Sequence, residues 1–143
     1  MLTKQLSVFV ENKKGRLSAI LNRLAENGID LSALSLADTS EFGVLRLIVN
    51  DPEKAKAILN EEGVIVKITD VLAVVLDDAP GGAAKVIELL SKNDVSVEYM
   101  YAFDTKITGK ALMIAKTDDV KAANALLIAN GIEDVTPKEV FRG

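Results

Sequence analysis

The chain has 143 residues, of which 49% are apolar, carries a formal net charge of −4, and contains neither cysteine nor histidine. The acidic balance argues against nucleic-acid or anionic-membrane partners, whose sites need clustered Lys and Arg. No apolar run approaches the roughly 18 residues that span a bilayer, no signal peptide is visible, and the lack of cysteine fits a cytoplasmic location.

The first part of the chain has the residue pattern of a β-α-β-β-α-β unit. One helix is indicated where Leu17, Ile20 and Leu24 recur on one face and Gly28 follows, as glycine does past a helix C-terminus. A second helix is indicated by Pro52, which suits a first helical position. The predicted strands are Gln5–Val10, Leu31–Thr39, Val44–Val49 and Val64–Ile68, the predicted helices are Gly15–Asn27 and the stretch between Pro52 and Gly63, and the predicted turn between the central strands is Ser40–Gly43.

The same pattern returns after a shift of 66 residues, which indicates an internal repeat. The matched residues are Leu6 with Leu72, Gly15 with Gly81, Gly43 with Gly109 and Ile48 with Ile114. The predicted elements of the second copy are strands at Val71–Leu76, Val95–Asp104, Gly109–Ala115 and Ile132–Val140, and helices at Gly82–Asn93 and Asp118–Ala129. Pro137 is acceptable in the last strand because an edge strand can spare a hydrogen-bond donor.

Thr69 and Asp70 form the whole predicted linker between the two copies. Because so short a linker holds the copies together, we expect them to pack as one globule, with domains at residues 1–69 and 70–143. The predicted fold class is α+β, with two ferredoxin-like β-α-β-β-α-β units side by side. Each unit is expected to be an antiparallel sheet with its helices on one face.

The turn between the first strand and the first helix of each copy is the candidate binding site. N–H groups at a helix start lack partners within the helix and can bind a carboxylate. Gly15 and Gly81 allow a close approach, while Asn12 and Asp78 offer oxygen atoms to an ammonium group. The same residues also fit ordinary turn glycines and helix caps, so both explanations stay open.

Two further groups of side chains also allow two explanations. Met100 and Tyr101 suit either an adaptable wall for a ligand side chain or ordinary sheet surface and core. Lys13, Lys14 and Arg16 suit either an effector carboxylate or a solvated basic cluster.

No set of residues suggests catalysis. Without cysteine or histidine the chain has no thiolate nucleophile, no imidazole acid or base and no typical zinc site. The spacing of Asp, Glu and Lys singles out no acid–base pair. We therefore predict that the protein is not an enzyme and needs no cofactor or metal.

Residues Asn12–Leu17 and Asn27–Leu31 together resemble the start of an ACT domain, and Asp78–Gly82 resembles it again. The resemblance covers nearly the whole chain as two tandem copies. The first copy departs from the family pattern at Lys14, where proline is usual, and the second has Asp94 where the first has a glycine. Either departure raises the question of whether both copies bind a ligand.

ACT domains are regulatory units that bind amino acids between paired domains, and the resemblance implies the same for this chain. The implied ligand-binding residues are Asn12, Lys13, Lys14, Gly15, Arg16 and Leu17 of the first turn, Leu34, Ser35 and Leu36 of one facing strand, Asp78, Ala79, Pro80, Gly81 and Gly82 of the second turn, and Met100 and Tyr101 of the other facing strand.

The implied function is a stand-alone regulatory protein that binds a free amino acid at the interface of its two ACT domains. It would act on an enzyme in trans. We also expect a homodimer, because sheet faces and edges are left to cover. The alternative is an assembly module whose ligand site is vestigial and which regulates a partner enzyme.

Overall fold

The computed structural model describes residues 1–38 and 41–141. Its contacts divide the chain into two compact units. The first unit is Lys4–Thr69, and the second unit consists of Met1–Thr3 together with the described residues from Asp70 onward. The domain boundaries 1–69 and 70–143 remain a proposal about ACT domains.

Within the described residues the chain forms six strands and five helices, so the predicted α+β class is confirmed. The strands are β1 (Leu2–Glu11), β2 (Leu31–Asp38), β3 (Phe42–Val49), β4 (Val66–Asp77), β5 (Val97–Asp104) and β6 (Lys110–Thr117). The helices are α1 (Arg16–Glu26), α2 (Pro52–Glu61), α3 (Gly82–Lys92), α4 (Val120–Ala129) and α5 (Pro137–Val140).

The first unit is an antiparallel sheet in the order β2-β3-β1-β4 with α1 and α2 over one face. Alternation along β1 explains this arrangement, because Leu6, Val8 and Val10 are buried while Phe9 between them is 43% exposed. Ile20 and Leu24 of α1 belong to the same buried cluster. The helix stripe read from the sequence is therefore the core.

The second unit has the order β5-β6-β4, with the first residues of the chain beside β4. The Ala73 N–H donates to the Met1 carbonyl at 2.9 Å, and the Met1 amino group donates to the Ala73 carbonyl at 3.0 Å. Leu2 packs against the core of this unit, which Val86 and Leu90 of α3 also form. Met1–Thr3 thus occupies the place of the fourth strand.

Two predicted elements after the repeat boundary are wrong. Thr69 and Asp70 are not a linker, because they lie inside the continuous strand β4. Residues 132–140 do not form a last strand, since Pro137–Val140 is the short helix α5. Met1–Thr3 already occupies the position of the fourth strand, so the residues after α4 do not pair there and form α5 instead.

The repeat offset also changes within the chain. Leu6 and Leu72 are equivalent and 66 residues apart, but their strand partners, Leu47 and Ala115, are 68 residues apart. Equivalent residues of the two copies are therefore 66 positions apart up to the second strand of each copy and 68 positions apart in the third. Four residues separate the paired ends of the first hairpin and six separate those of the second. The predicted matches Gly43–Gly109 and Ile48–Ile114 are therefore wrong.

The predicted turn Ser40–Gly43 is wrong at its end, because Phe42 and Gly43 already belong to β3. Thr39 and Ser40, at the end of the predicted second strand and the start of this turn, lie outside the described residues.

Candidate functional site

The first turn, Asn12–Gly15, connects β1 to α1 and places a glycine at the helix N-cap. Gly15 has φ 85°, in the left-handed region that favours glycine. The Arg16 N–H donates to the Lys13 carbonyl at 3.1 Å and closes the turn. No side chain caps α1, so Asn12 is not a helix cap.

Two backbone donors are left open at this helix start. The Ala19 N–H donates to the Gly15 carbonyl at 3.0 Å, whereas the N–H groups of Leu17 and Ser18 have no acceptor in the described part of the chain. Such donors carry partial positive charge and can receive a carboxylate.

The side chains around the first turn make it basic. Lys13 Nζ lies 3.2 Å from Glu11 Oε2, and Lys14 and Arg16 are exposed, with no ion-pair partner within residues 1–38 and 41–141. Two cavities adjoin the turn, of about 450 and 320 Å³. Their lining residues are Glu11, Lys13, Lys14, Gly15, Arg16 and Ala19 for the first, and Glu11, Asn12, Lys13, Glu41 and Phe42 for the second.

The second turn, Asp78–Gly81, repeats this backbone path. Gly81 has φ 88° at the N-cap of α3, and the Gly82 N–H donates to the Ala79 carbonyl at 3.0 Å. No side chain caps α3, so Asp78 is not a helix cap either. The Asp78 N–H instead donates to the Gly109 carbonyl at 3.1 Å, which ties this turn to the β5–β6 hairpin.

The charge beside the second turn is different. Asp77 Oδ1 accepts a hydrogen bond of 2.6 Å from Lys110 Nζ. This contact lowers the pKa of the Asp77 carboxyl and raises the pKa of the Lys110 ammonium. Asp78 adds a second carboxylate, and no basic residue stands at the positions of Lys13, Lys14 and Arg16, which are Ala79, Pro80 and Gly82 here.

The glycines of the two turns serve different purposes. A Cβ added at Gly15 or Gly81 would meet no other atom within 4 Å, so the positive φ is what favours glycine there. A Cβ added at Gly82 would lie 2.1 Å from the Asp77 carbonyl oxygen, so this position has no room for a side chain. The close approach of protein backbone therefore occurs at Gly82.

The predicted strand residues divide between the two faces of each sheet. Leu34 and Leu36 lie opposite Leu47 and Leu45 of β3, on the helix side, while Ser35 points to the other face. Leu34 and Leu36 are 56% and 49% exposed. None of the three residues lines either cavity beside the first turn.

Met100 and Tyr101 divide in the same way. Met100 lies opposite Ala115 of the helix-side core and is 45% exposed, whereas Tyr101 lies opposite Ile114 on the other face. Adjacent strand residues cannot both line one pocket on the helix side. Only Met100 is placed to contribute to a site beside α3.

Sequence reasoning missed the Asp77–Lys110 pair, which depends on the pairing of β4 with β6 and has no short-range signal. It also missed a cavity of about 260 Å³ between α1 and α2, lined in part by Ala19, Arg23 and Leu59. The sequence predicts the two helices, but it does not predict that a groove of this size lies between them.

A family model described as an ACT domain pair matches residues 1–142. The chain belongs to the ACT domain pair family. The resemblance seen in the two turns is therefore confirmed. No curated protein gives a match to this ACT domain pair.

Solved structures agree with the family. The protein BT0572 from Bacteroides thetaiotaomicron is 38% identical, with a TM-score of 0.86 over 93% of this chain and 91% of that chain. The regulatory subunit of aspartate kinase from Thermus thermophilus, in a ligand-free form, is 15% identical, with a TM-score of 0.63 over 90% of this chain and 92% of that chain. The regulatory subunit from Thermus flavus is 16% identical, with a TM-score of 0.62 over 90% and 92%. The two aspartate kinase subunits show a shared fold.

The described residues include neither a membrane-spanning helix nor a cluster of metal ligands. None of its helices there has the length and apolar character needed to cross a bilayer. No group of three or more acidic side chains in residues 1–38 and 41–141 is arranged to hold a metal ion.

Proposed function

We propose that this ACT domain pair is a non-catalytic regulatory protein whose effector is a free amino acid. Membership of the family supports the regulatory role. The open donors at the start of α1 support the choice of a carboxylate-bearing effector. The fold shared with the regulatory subunit of aspartate kinase supports an action on a separate catalytic chain.

The first turn is the better carboxylate site of the two. The observation that carries this choice is the basic surround of its open donors, since Lys14 and Arg16 are exposed beside the N–H groups of Leu17 and Ser18. The second turn has no basic residue at the equivalent positions, and it has Asp78 in place of Asn12, a carboxylate that opposes a bound anion. We therefore propose that the first turn binds the effector and that the second has lost this role or binds more weakly.

The zwitterion would be held at both ends. Its carboxylate would accept hydrogen bonds from the N–H groups of Leu17 and Ser18, and its ammonium would donate to the side-chain oxygen of Asn12. The effector side chain would occupy the cavity that Lys13, Lys14 and Ala19 help to line. The domain-interface position implied by the family stays a prediction.

A thermal-shift screen of the common amino acids tests the proposal. Effector at about 100 times its dissociation constant should stabilise the wild type by roughly 2.7 kcal/mol. The Lys14→Glu and Arg16→Glu variants should lose most of this response. Lys54→Glu, on the exposed side of α2, makes the same change in net charge away from the turn and should keep it.

The outcome that sinks the proposal is a wild type that no amino acid stabilises and that is also silent in titration calorimetry. Equal losses in Lys14→Glu and Lys54→Glu would contradict the first turn as the site while leaving effector binding intact.

A second function, as an assembly module, is favoured by one specific observation. Leu34 and Leu36 are about half exposed on β2, which is the edge strand of the first unit's sheet. Exposed leucines on an edge strand suit pairing with another chain. We propose a homodimer through this edge, and sedimentation of the wild type as a dimer and of Leu34→Lys/Leu36→Lys as a monomer would support it. A monomeric wild type at micromolar concentration would exclude it.

A further inference from the structure

The segment Thr136–Phe141, named here the strap, lies against the β5–β6 hairpin of the second unit. Thr105 Oγ1 donates to the Val140 carbonyl at 2.7 Å, and the Lys106 N–H donates to the same carbonyl at 3.4 Å. The Phe141 ring stacks on the Phe103 ring, with centroids 6.0 Å apart and planes 7° from parallel. Val140 is fully buried and Phe141 is 9% exposed, so the strap closes over an apolar surface.

The strap has little stability of its own. Its helix α5 has four residues, and a helix so short does not persist in water without tertiary contacts. The Thr136 N–H and Oγ1 donate to Glu139 Oε2 at 2.6 and 2.8 Å, which shapes the helix start. The preceding residues are irregular, with Glu133 and Asp134 exposed. The contacts with the hairpin are therefore what hold the strap in place.

The strap packs on Phe103, on the face of the sheet away from α3 and α4. Leu112 lies directly opposite Phe103 in the β5–β6 register, so both side chains point to the face on which Phe141 stacks. Leu112 is 0% exposed. Its neighbour Met113 is equally buried but points to the other face, into the core under α3 and α4.

The equivalent positions of the first unit are more exposed. The counterpart of Phe103 there is Ala37, which is exposed, and the counterpart of Leu112 is Val44, which is half-buried. The first hairpin is also two residues shorter than the second. The longer second hairpin is what provides Thr105 and Lys106 as anchors.

We propose that the strap is a conformational switch that opens as a unit while the second unit stays folded, and that its opening uncovers the apolar strip around Phe103 and Leu112. The four-residue helix of the strap is too short to persist alone, and local opening of such a segment needs less free energy than global unfolding. Gly109 of the same hairpin accepts the Asp78 N–H, so the strap and the second turn share one hairpin.

Thiol labelling tests the switch, because the natural chain has no cysteine. Single Leu112→Cys and Met113→Cys variants report on the strap side and the core side of β6. If the strap opens alone, Leu112→Cys should react with a disulfide reagent at least about tenfold faster than Met113→Cys. Adding Phe141→Ala should speed labelling of Leu112→Cys further by about fivefold or more and leave Met113→Cys unchanged.

Equal labelling rates that follow global unfolding would overturn the proposal. Hydrogen exchange of the wild type gives a second measurement that needs no variant. The Lys106 amide, whose acceptor is Val140 in the strap, should exchange at least about tenfold faster than the amides of β6. A Lys106 amide that exchanges only with the β6 amides would also overturn it.

Discussion

The two units of this ACT domain pair complete the same sheet in different ways. The first unit places the start of β4, which follows its second helix, beside β1. The second unit receives Met1–Thr3 in that position and uses the chain after α4 for the strap. The repeated residues therefore specify the turn and the first helix of each unit, while the fourth strand can come from another part of the chain.

The turns extend the comparison to the candidate site. Both have a left-handed glycine at the helix N-cap and no side-chain cap. The first is surrounded by basic side chains, whereas the second has the Asp77–Lys110 pair and the crowded Gly82. The two turns therefore have the same backbone conformation but different side chains at the positions that would select a ligand.

The two turns differ most in the room that they leave for a side chain at the first helical residue. Gly82→Ala should lower the free energy of unfolding by about 3 kcal/mol, because its Cβ would lie 2.1 Å from the Asp77 carbonyl oxygen. The matched change is Arg16→Ala at the equivalent position of the first turn, where a side chain is already accommodated, and it should cost far less. Urea denaturation measures both. Equal costs would show that the crowding at Gly82 is relieved by movement of the turn.

A smaller effect is expected to be the same in both turns. Gly15→Ala and Gly81→Ala should each cost about 1–2 kcal/mol, because both residues have positive φ and neither meets a steric obstacle. Asparagine tolerates this conformation better, so Gly15→Asn and Gly81→Asn are the controls and should cost less. Chemical denaturation of the four variants measures the free energy of unfolding. A large difference between the costs of the two alanine changes would contradict a shared backbone conformation.

Much of this could be predicted from the sequence. The helix stripe of Leu17, Ile20 and Leu24 and the glycine before it are local signals, and both turns followed from them. The pairing of Lys110 with Asp77 could not be predicted, because it depends on the register of β4 and β6. The crowding at Gly82 lies within the second turn, and it depends on a backbone path that residue types alone do not specify.

The fourth strand of the second unit could not be predicted from local sequence patterns, because Met1–Thr3 and its partner Ala73 are far apart in sequence. The end of the chain was different, since its signal was present. Thr136-Pro137 followed by Glu139 has the residue types of a helix start, with proline at the first helical position. The repeat pattern instead predicts an edge strand there, in which Pro137 is acceptable.

A third prediction concerns Met1–Thr3, the strand segment that belongs to the second unit. Leu2→Ala should cost about 1 kcal/mol, because the half-buried Leu2 side chain packs against the core of the second unit. Hydrogen exchange should speed up in β6 and stay unchanged in β3, although Leu2 stands next to the first unit in sequence. Lys67→Ala, at an exposed position of β4, is the control. Faster exchange confined to β3 would contradict the assignment of Leu2 to the second unit.

The smallest effect concerns the strap and depends on pH. The Thr136 N–H and hydroxyl, with Lys106 nearby, hold the pKa of the Glu139 carboxyl below its usual value of 4.5. A carboxyl with a lowered folded-state pKa stabilises the fold above its unfolded pKa, and this contribution is lost as the pH falls through the folded pKa. Glu139→Gln should therefore lower the thermal midpoint slightly at about pH 7.

The same difference should shrink as the pH falls through the folded pKa of Glu139 and vanish below it, where the wild-type carboxyl is protonated. Melting curves of wild type and Glu139→Gln from neutral to acid pH make the test. A difference that persists in acid would show that the Glu139 charge does not hold the strap.

Because Met1–Thr3 belongs to the second unit, a gene fragment that encodes the second repeat alone lacks one of its strands. A gene fragment that began at Asp70 would encode β5, β6 and the rest of β4 with no partner on the outer side of β4. Its unpaired N–H and carbonyl groups would be an open template for pairing with other chains. A rearrangement that moved the second repeat alone would therefore also have to supply a new edge strand.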